Sequence, residues 1–169
     1  MYGIEKSVLA DGNMANTGNE TRDAILTEKS CLCEKYGIRL THTLDGESLA
    51  FMQPVDIASL FGNALDNAIE SVLREEDTEH RVIRLNASVK RRFLSIRLEN
   101  YCGTPVRFED GLPVTLKHDK EYHGYGVKSI RLIVERYGGT LHMHQDGCLF
   151  ELDIILPAAS PAPPAAELG

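Results

Sequence analysis

Two asparagines, Asn63 and Asn67, stand four residues apart in the stretch PVDIASLFGNALDNAIESVLR. If that stretch is a helix, their side chains project next to each other. Asparagine is a poor helix former because its amide competes for backbone hydrogen bonds, and Glu, Lys or Gln would serve a solvated face better. A pair of neutral, oxygen-bearing side chains suits a metal ion held mainly by phosphates. Magnesium fits that description, since it keeps several waters and takes only one or two protein oxygens beside the phosphate groups. A solvated helix face is the plainer reading, and for the neighbouring carboxylates Asp66 and Glu70 alone it would suffice.

His123-Gly124-Tyr125-Gly126 offers a second constellation, directly before a segment of helical periodicity that starts near Val127. Glycines there let the backbone approach a ligand, and the free N–H groups and positive dipole end of the following helix favour an anion. Lys117, Lys120 and Lys128 flank the turn and supply charge for phosphate. By itself Gly-x-Gly is a turn before a helix in most chains. It lacks the Gly-Lys-Ser/Thr ending of a P-loop and the strand-adjacent spacing of a dinucleotide fingerprint.

The elements that must position these residues are legible as patterns. Around Asn63 and Asn67 the apolar residues Ile57, Leu60, Phe61, Ala64, Leu65, Ala68, Ile69 and Val72 fall on one face of a helix opened by Pro54 and running to about Arg74, with Asn63, Asp66, Asn67 and Glu70 on the opposite arc. An earlier helix is expected over residues 20–36, ended by Gly37. IRLTHTL and SLAFM read as two short strands joined at Asp45-Gly46. RVIRLNASVK and RFLSIRLEN read as a hairpin, and so do TLHMHQ and LFELDIIL around Asp146-Gly147. Residues 101–123 have little periodicity, and a segment of that length in a compact domain is functional or disordered; it is expected to be a mobile lid. A helix over 127–137 stops at Gly138-Gly139. The Pro/Ala-rich end is expected to be unstructured. Strand pairs interleaved with helices favour an α+β two-layer sandwich, with a mixed, largely antiparallel sheet and helices on one face.

Composition narrows the functional classes. The 169 residues suffice for one domain with a real core, and 43% hydrophobic with 25% charged residues is ordinary for a soluble globular protein. A formal net charge of −7 argues against wholesale attraction to nucleic acid or anionic lipid. No apolar run approaches a membrane span, and the start is not a secretory signal. Cys31, Cys33, Cys102 and Cys148 lack paired zinc spacing and read as thiols in a reducing cytoplasm. His142 and His144 alternate on one strand and share a face. With no third ligand evident, they read as a half-exposed strand surface rather than a zinc site. His42 and His80 read as polar surface residues.

The order of these features carries a family resemblance. GNALDNAIES as an asparagine box, HGYGVKSI as a glycine box and RYGGTLHMHQDGCLFELDIILP as a closing hairpin resemble the GHKL ATPase superfamily, specifically the ATP-binding catalytic domain of sensor histidine kinases. TGNETRDAILTEK followed by CEKYGIRL is similar to the peptide-sensing quorum subfamily, whose response regulators often carry LytTR-type domains. The resemblance spans about residues 17–157. It implies a Bergerat-type fold over residues 20–157, a lead-in from a dimerisation region over 1–19 and a disordered tail over 158–169.

It also implies ATP and Mg²⁺ as ligands, Asn67 as magnesium ligand and Asn63 as its metal- or phosphate-side partner. Asp66 falls at the position of an acid acting on the acceptor histidine. Gly124, Tyr125, Gly126, His123, Lys117, Lys120 and Lys128 fall at the phosphate end. Asn100 stands where relatives commonly have the Asp of Asp-x-Gly-x-Gly, which bonds the adenine amino group. No complete glycine box follows Asn100, and Glu70 stands where relatives often have a basic residue. No histidine lies in a helix resembling the acceptor motif. The implied activity is transfer of the ATP γ-phosphate to a histidine on a separate dimerisation domain, for later passage to a response regulator, in the cytoplasm. Two alternatives stay open: a regulatory nucleotide-binding module of the same fold without phosphotransfer, and a stand-alone serine kinase of the anti-sigma type.

Overall fold

The computed structural model of the chain describes residues 8–9, 19–45, 47–114 and 124–158. In chain order these form β1 (Val8–Leu9), α1 (Glu20–Lys35), β2 (Arg39–Leu44), α2 (Pro54–Leu73), β3 (Val82–Lys90), β4 (Phe93–Tyr101), the short β5 (Phe108–Glu109) and β6 (Leu112–Pro113), α3 (Gly124–Arg136), β7 (Thr140–Asp146) and β8 (Leu149–Pro157). Six strands make one sheet in the order β1-β2-β3-β4-β8-β7, and β5 pairs only with β6. Every neighbouring pair is antiparallel except β2 and β3. A parallel pair needs a crossover, and α2 supplies it.

Period-two burial fixes which face of the sheet meets the helices. Leu94, Ile96, Leu98 and Asn100 of β4 are buried, while Phe93, Ser95 and Arg97 between them are exposed. The eight apolar residues expected on one face of α2 are all buried, Leu65 and Val72 completely. The result is the expected α+β two-layer sandwich, with helices on one face of a mixed, largely antiparallel sheet. No described helix is long and apolar enough to cross a membrane.

Local chemistry sets the helix ends. Asn19 caps α1 by accepting the Arg22 N–H at 3.1 Å, and Gly37 follows the helix at a φ of +65°. Asp56 near the start of α2 receives Arg136 and the Tyr137 hydroxyl from the end of α3, each at 2.7 Å, which locks the two helices antiparallel.

Two expectations are corrected. SLAFM is not a strand: residues 47–49 make a single 3₁₀ turn, with Leu49 and Met52 buried beneath it. Both edges of β2 are already taken by β1 and β3, so a hairpin partner has no place to pair. Helix α3 begins at Gly124, three residues earlier than its apolar rhythm suggests. Of the lid expected over 101–123, residues 115–123 lie outside the described residues, as does the tail beyond 158.

Candidate functional site

Along one side of α2, Asn67, Glu70, Ser71 and Arg74 recur at helical spacing and line a cavity of about 210 Å³. Its floor is apolar, built from Leu98 of β4, Met143 of β7, Phe150 and Leu152 of β8, and Val127 of α3. The facing wall is the segment that follows β4, through Cys102, Thr104, Pro105 and Val106. An apolar slot with a few convergent polar groups is the usual form of a small-molecule site.

Asn100, only 3% exposed, is the polar group deepest in this wall. Its Nδ2 donates to Ser71 Oγ at 3.1 Å and to the Tyr101 carbonyl oxygen at 2.9 Å. A carbonyl oxygen can only accept, so the amide is fixed in this orientation. Its Oδ1 remains as a hydrogen-bond acceptor with no partner among the described residues. An aspartate at the same place would also offer an acceptor; the amide offers one without the charge.

The two asparagines of α2 have different surroundings. Asn67 lines the cavity, and its amide oxygen can serve a cation whose other ligands are phosphate and water. Asn63 lies one turn away and donates from Nδ2 to Ser59 Oγ at 3.2 Å, and Ser59 in turn meets Ser129 Oγ of α3 at 3.1 Å. A Cβ on Gly126 would come within 3.2 Å of Asn63 Oδ1. Asn63 and Gly126, 63 residues apart in sequence, are thus brought together. Gly124 and Gly126 belong to the first turn of α3 rather than to a loop before it, which leaves the free N–H groups of a helix start at that end. Among the described residues no group of three His, Cys, Asp or Glu side chains could hold a metal by itself. The asparagine arrangement fits magnesium only as a phosphate-borne ion.

Asp66 points elsewhere. Its carboxylate pairs with Lys29 of α1 at 2.8 Å. Burial would depress the Lys29 ammonium, but its hydrogen bonds to Asp66 and Glu28 outweigh that and raise its pKa. Tyr125 is 73% exposed, Lys128 is also on the surface, and neither lines the cavity. Lys117, Lys120 and His123 lie outside the described residues. Glu70 does face the cavity, beside Asn67.

Sequence reading missed Ser71, Glu75 and Gln145. Ser71 was within reach, being four residues after Asn67 on the same helical side. Glu75 accepts the Gly103 N–H, and Gln145 hydrogen-bonds three backbone groups of residues 102–106, contacts that no local pattern announces. His142 and His144 stack on the outer sheet face as expected, with His144 against Glu151. His42 is not a surface residue; it is 8% exposed on the helix-facing side of β2.

A family model described as the GHKL domain matches residues 52–157 of the chain. No curated protein matches it significantly in sequence. Among solved structures, a nucleotide-free form of the catalytic domain of histidine kinase ThkA superposes with a TM-score of 0.62 at 15% identity, covering 85% of this chain and 93% of that one. The Acinetobacter baumannii histidine kinase AdeS superposes with a TM-score of 0.56 at 11% identity, covering 83% of this chain and 64% of that one. At these identities the likeness is one of fold.

Proposed function

The chain belongs to the GHKL domain family, and from that premise we propose that its cavity binds Mg²⁺-ATP for phosphoryl transfer to a histidine on a separate dimerisation domain. The observation that carries the reading is one cavity lined by both Asn100 and Asn67, with Gly126 packed on Asn63 one helical turn from Asn67. The adenine amino group would donate to Asn100 Oδ1, and the apolar floor would take the ring. The phosphates would run toward the start of α3 at Gly124–Gly126, where helix N–H groups and dipole favour anions. Asn67, with Asn63 beside it, would hold the magnesium ion, which when bound neutralises phosphate charge. Lys128, in the opening turns of α3, would add positive charge there.

Such a site works by positioning and charge neutralisation rather than by covalent chemistry. Asp66, outside the cavity, would meet the incoming acceptor histidine and take its proton. In this reading residues 20–157 are the catalytic domain of a cytoplasmic protein histidine kinase. The phosphate would pass on to a response regulator, and the likeness of residues 17–40 to the quorum-sensing subfamily supports one of LytTR type. A second reading, a regulatory nucleotide-binding module of the same fold, is favoured by Glu70, whose carboxylate beside Asn67 opposes phosphate.

Calorimetric titration with ATP, with and without Mg²⁺, tests the site. Binding that requires Mg²⁺ is expected. Absence of binding, or equal affinity in both conditions, overturns the reading.

A further inference from the structure

Gln145 of β7 makes three hydrogen bonds to the backbone of the segment after β4. Its Oε1 accepts the Val106 N–H at 2.8 Å, and its Nε2 donates to the carbonyl oxygens of Cys102 at 3.0 Å and Thr104 at 3.1 Å. From the opposite side Glu75, two residues past α2, accepts the Gly103 N–H at 2.8 Å. A Cβ on Gly103 would stand 3.1 Å from the Glu75 carboxylate, which would then have to shift by a few tenths of an ångström. Residues 102, 103, 104 and 106 therefore each have a backbone group held by a side chain from a distant element. Cys102, Thr104 and Val106 of this segment, and Glu75 itself, line the cavity together with Asn100.

Glutamine is the side chain this arrangement requires. It accepts one hydrogen bond and donates two, which no carboxylate or aliphatic group of its size can do. A glutamate at 145 would aim an acceptor at two carbonyl oxygens, and a leucine would leave all three backbone groups without this partner.

We propose that Gln145 and Glu75 are positioning residues, clamping residues 102–106 as a fixed wall that presses the nucleotide base onto Asn100 Oδ1. Base preference then depends on the clamp as well as on Asn100, because a 6-amino purine gains its hydrogen bond only while the wall holds it in place. The inference rests on the nucleotide-binding reading of the cavity.

The test uses the full chain as wild type, Gln145→Leu and Gln145→Glu. Each is titrated calorimetrically with Mg²⁺-ATP and Mg²⁺-GTP, with thermal melting and hydrogen exchange at the Val106 amide measured on the same samples. Wild type is expected to prefer ATP. Gln145→Leu should weaken ATP binding about tenfold, the order expected for losing one or two net hydrogen bonds, leave the weaker GTP binding nearly unchanged and speed exchange at Val106. Gln145→Glu should keep Val106 protected yet lose the same base preference, since only the two donor bonds are gone. Glu75→Ala, which removes a single bond at the rim, should narrow the preference in the same direction and serves if Gln145→Leu does not fold. No ATP binding by wild type overturns the nucleotide reading itself. If wild type binds ATP, the clamp is overturned by equal affinity for GTP, or by variants with an unchanged ATP-to-GTP ratio. It is equally overturned if both affinities fall together in step with melting temperature, which would mark Gln145 as merely structural.

Discussion

Asn67 faces the cavity while Asp66 turns toward Lys29 on α1, because each residue of a helix rotates the side chain by about 100°. Substituting Asn67 should therefore affect ligand and not fold. Asn67→Ala is expected to weaken Mg²⁺-ATP binding at least about tenfold, the loss of one charge-assisted contact, with melting temperature nearly unchanged; titration and melting of the same preparation check it. His42 tests burial instead. Desolvation first, and the Arg22 guanidinium second, lower its pKa below the ordinary value. The folded state then binds fewer protons than the unfolded state, so His42 favours folding above the unfolded pKa of about 6.5 and that contribution is lost as pH falls below it. Denaturant unfolding between pH 7.5 and 5, as round conditions on either side of that value, should show acid destabilisation that is smaller in His42→Gln. At this scale the sequence made chemistry visible wherever residue type was unusual for its place, as with two asparagines on a helix. It concealed His42, whose residue type suggested the surface although alternation along β2 puts it on the buried face with Leu40.

Helices α2 and α3 were legible because each carries a sustained apolar period, and their contact was not, because it joins residues about 60 or more apart. SLAFM was misread for the opposite reason: an apolar run too short for period to arbitrate was decided by strand pairing elsewhere. Two glycines show how packing decides an element's tolerance. At Gly62 on α2 an added Cβ would meet nothing within 4 Å. Gly62→Ala should stabilise the protein by about 1 kcal/mol, the helix-propensity difference. At Gly139, where the chain enters β7, a Cβ would collide with Leu156 and come 2.5 Å from the Ile155 carbonyl oxygen of β8. The backbone cannot yield there without parting β7 from β8, so Gly139→Ala should cost about 3 kcal/mol or more. Denaturant midpoints of the two variants should move in opposite directions; a shift of the same sign in both would contradict this packing.

For the whole molecule the question is where the phosphate goes. Among the described residues no histidine sits on an α-helix: His42, His142 and His144 are on strands, and His80 ends a 3₁₀ turn. His142 and His144 are on the sheet face away from the cavity. In the proposed reading, a γ-phosphate at the start of α3 would find no helical histidine among the described residues to receive it. Incubation with γ-labelled ATP should leave the chain unlabelled. Adding a dimerisation domain that bears an acceptor histidine should produce acid-labile, base-stable label on that partner, as phosphohistidine behaves. Transfer should be slow and proportional to partner concentration, because two detached domains lack the effective concentration a linker supplies. Asp66→Asn should slow transfer while leaving ATP affinity unchanged, since Asp66 lies outside the cavity and is paired with Lys29. Label on the isolated chain would mean an internal acceptor and contradict the assignment. Mg²⁺-dependent ATP binding with no transfer to a partner that a known kinase domain does phosphorylate would leave the regulatory module as the reading of this fold.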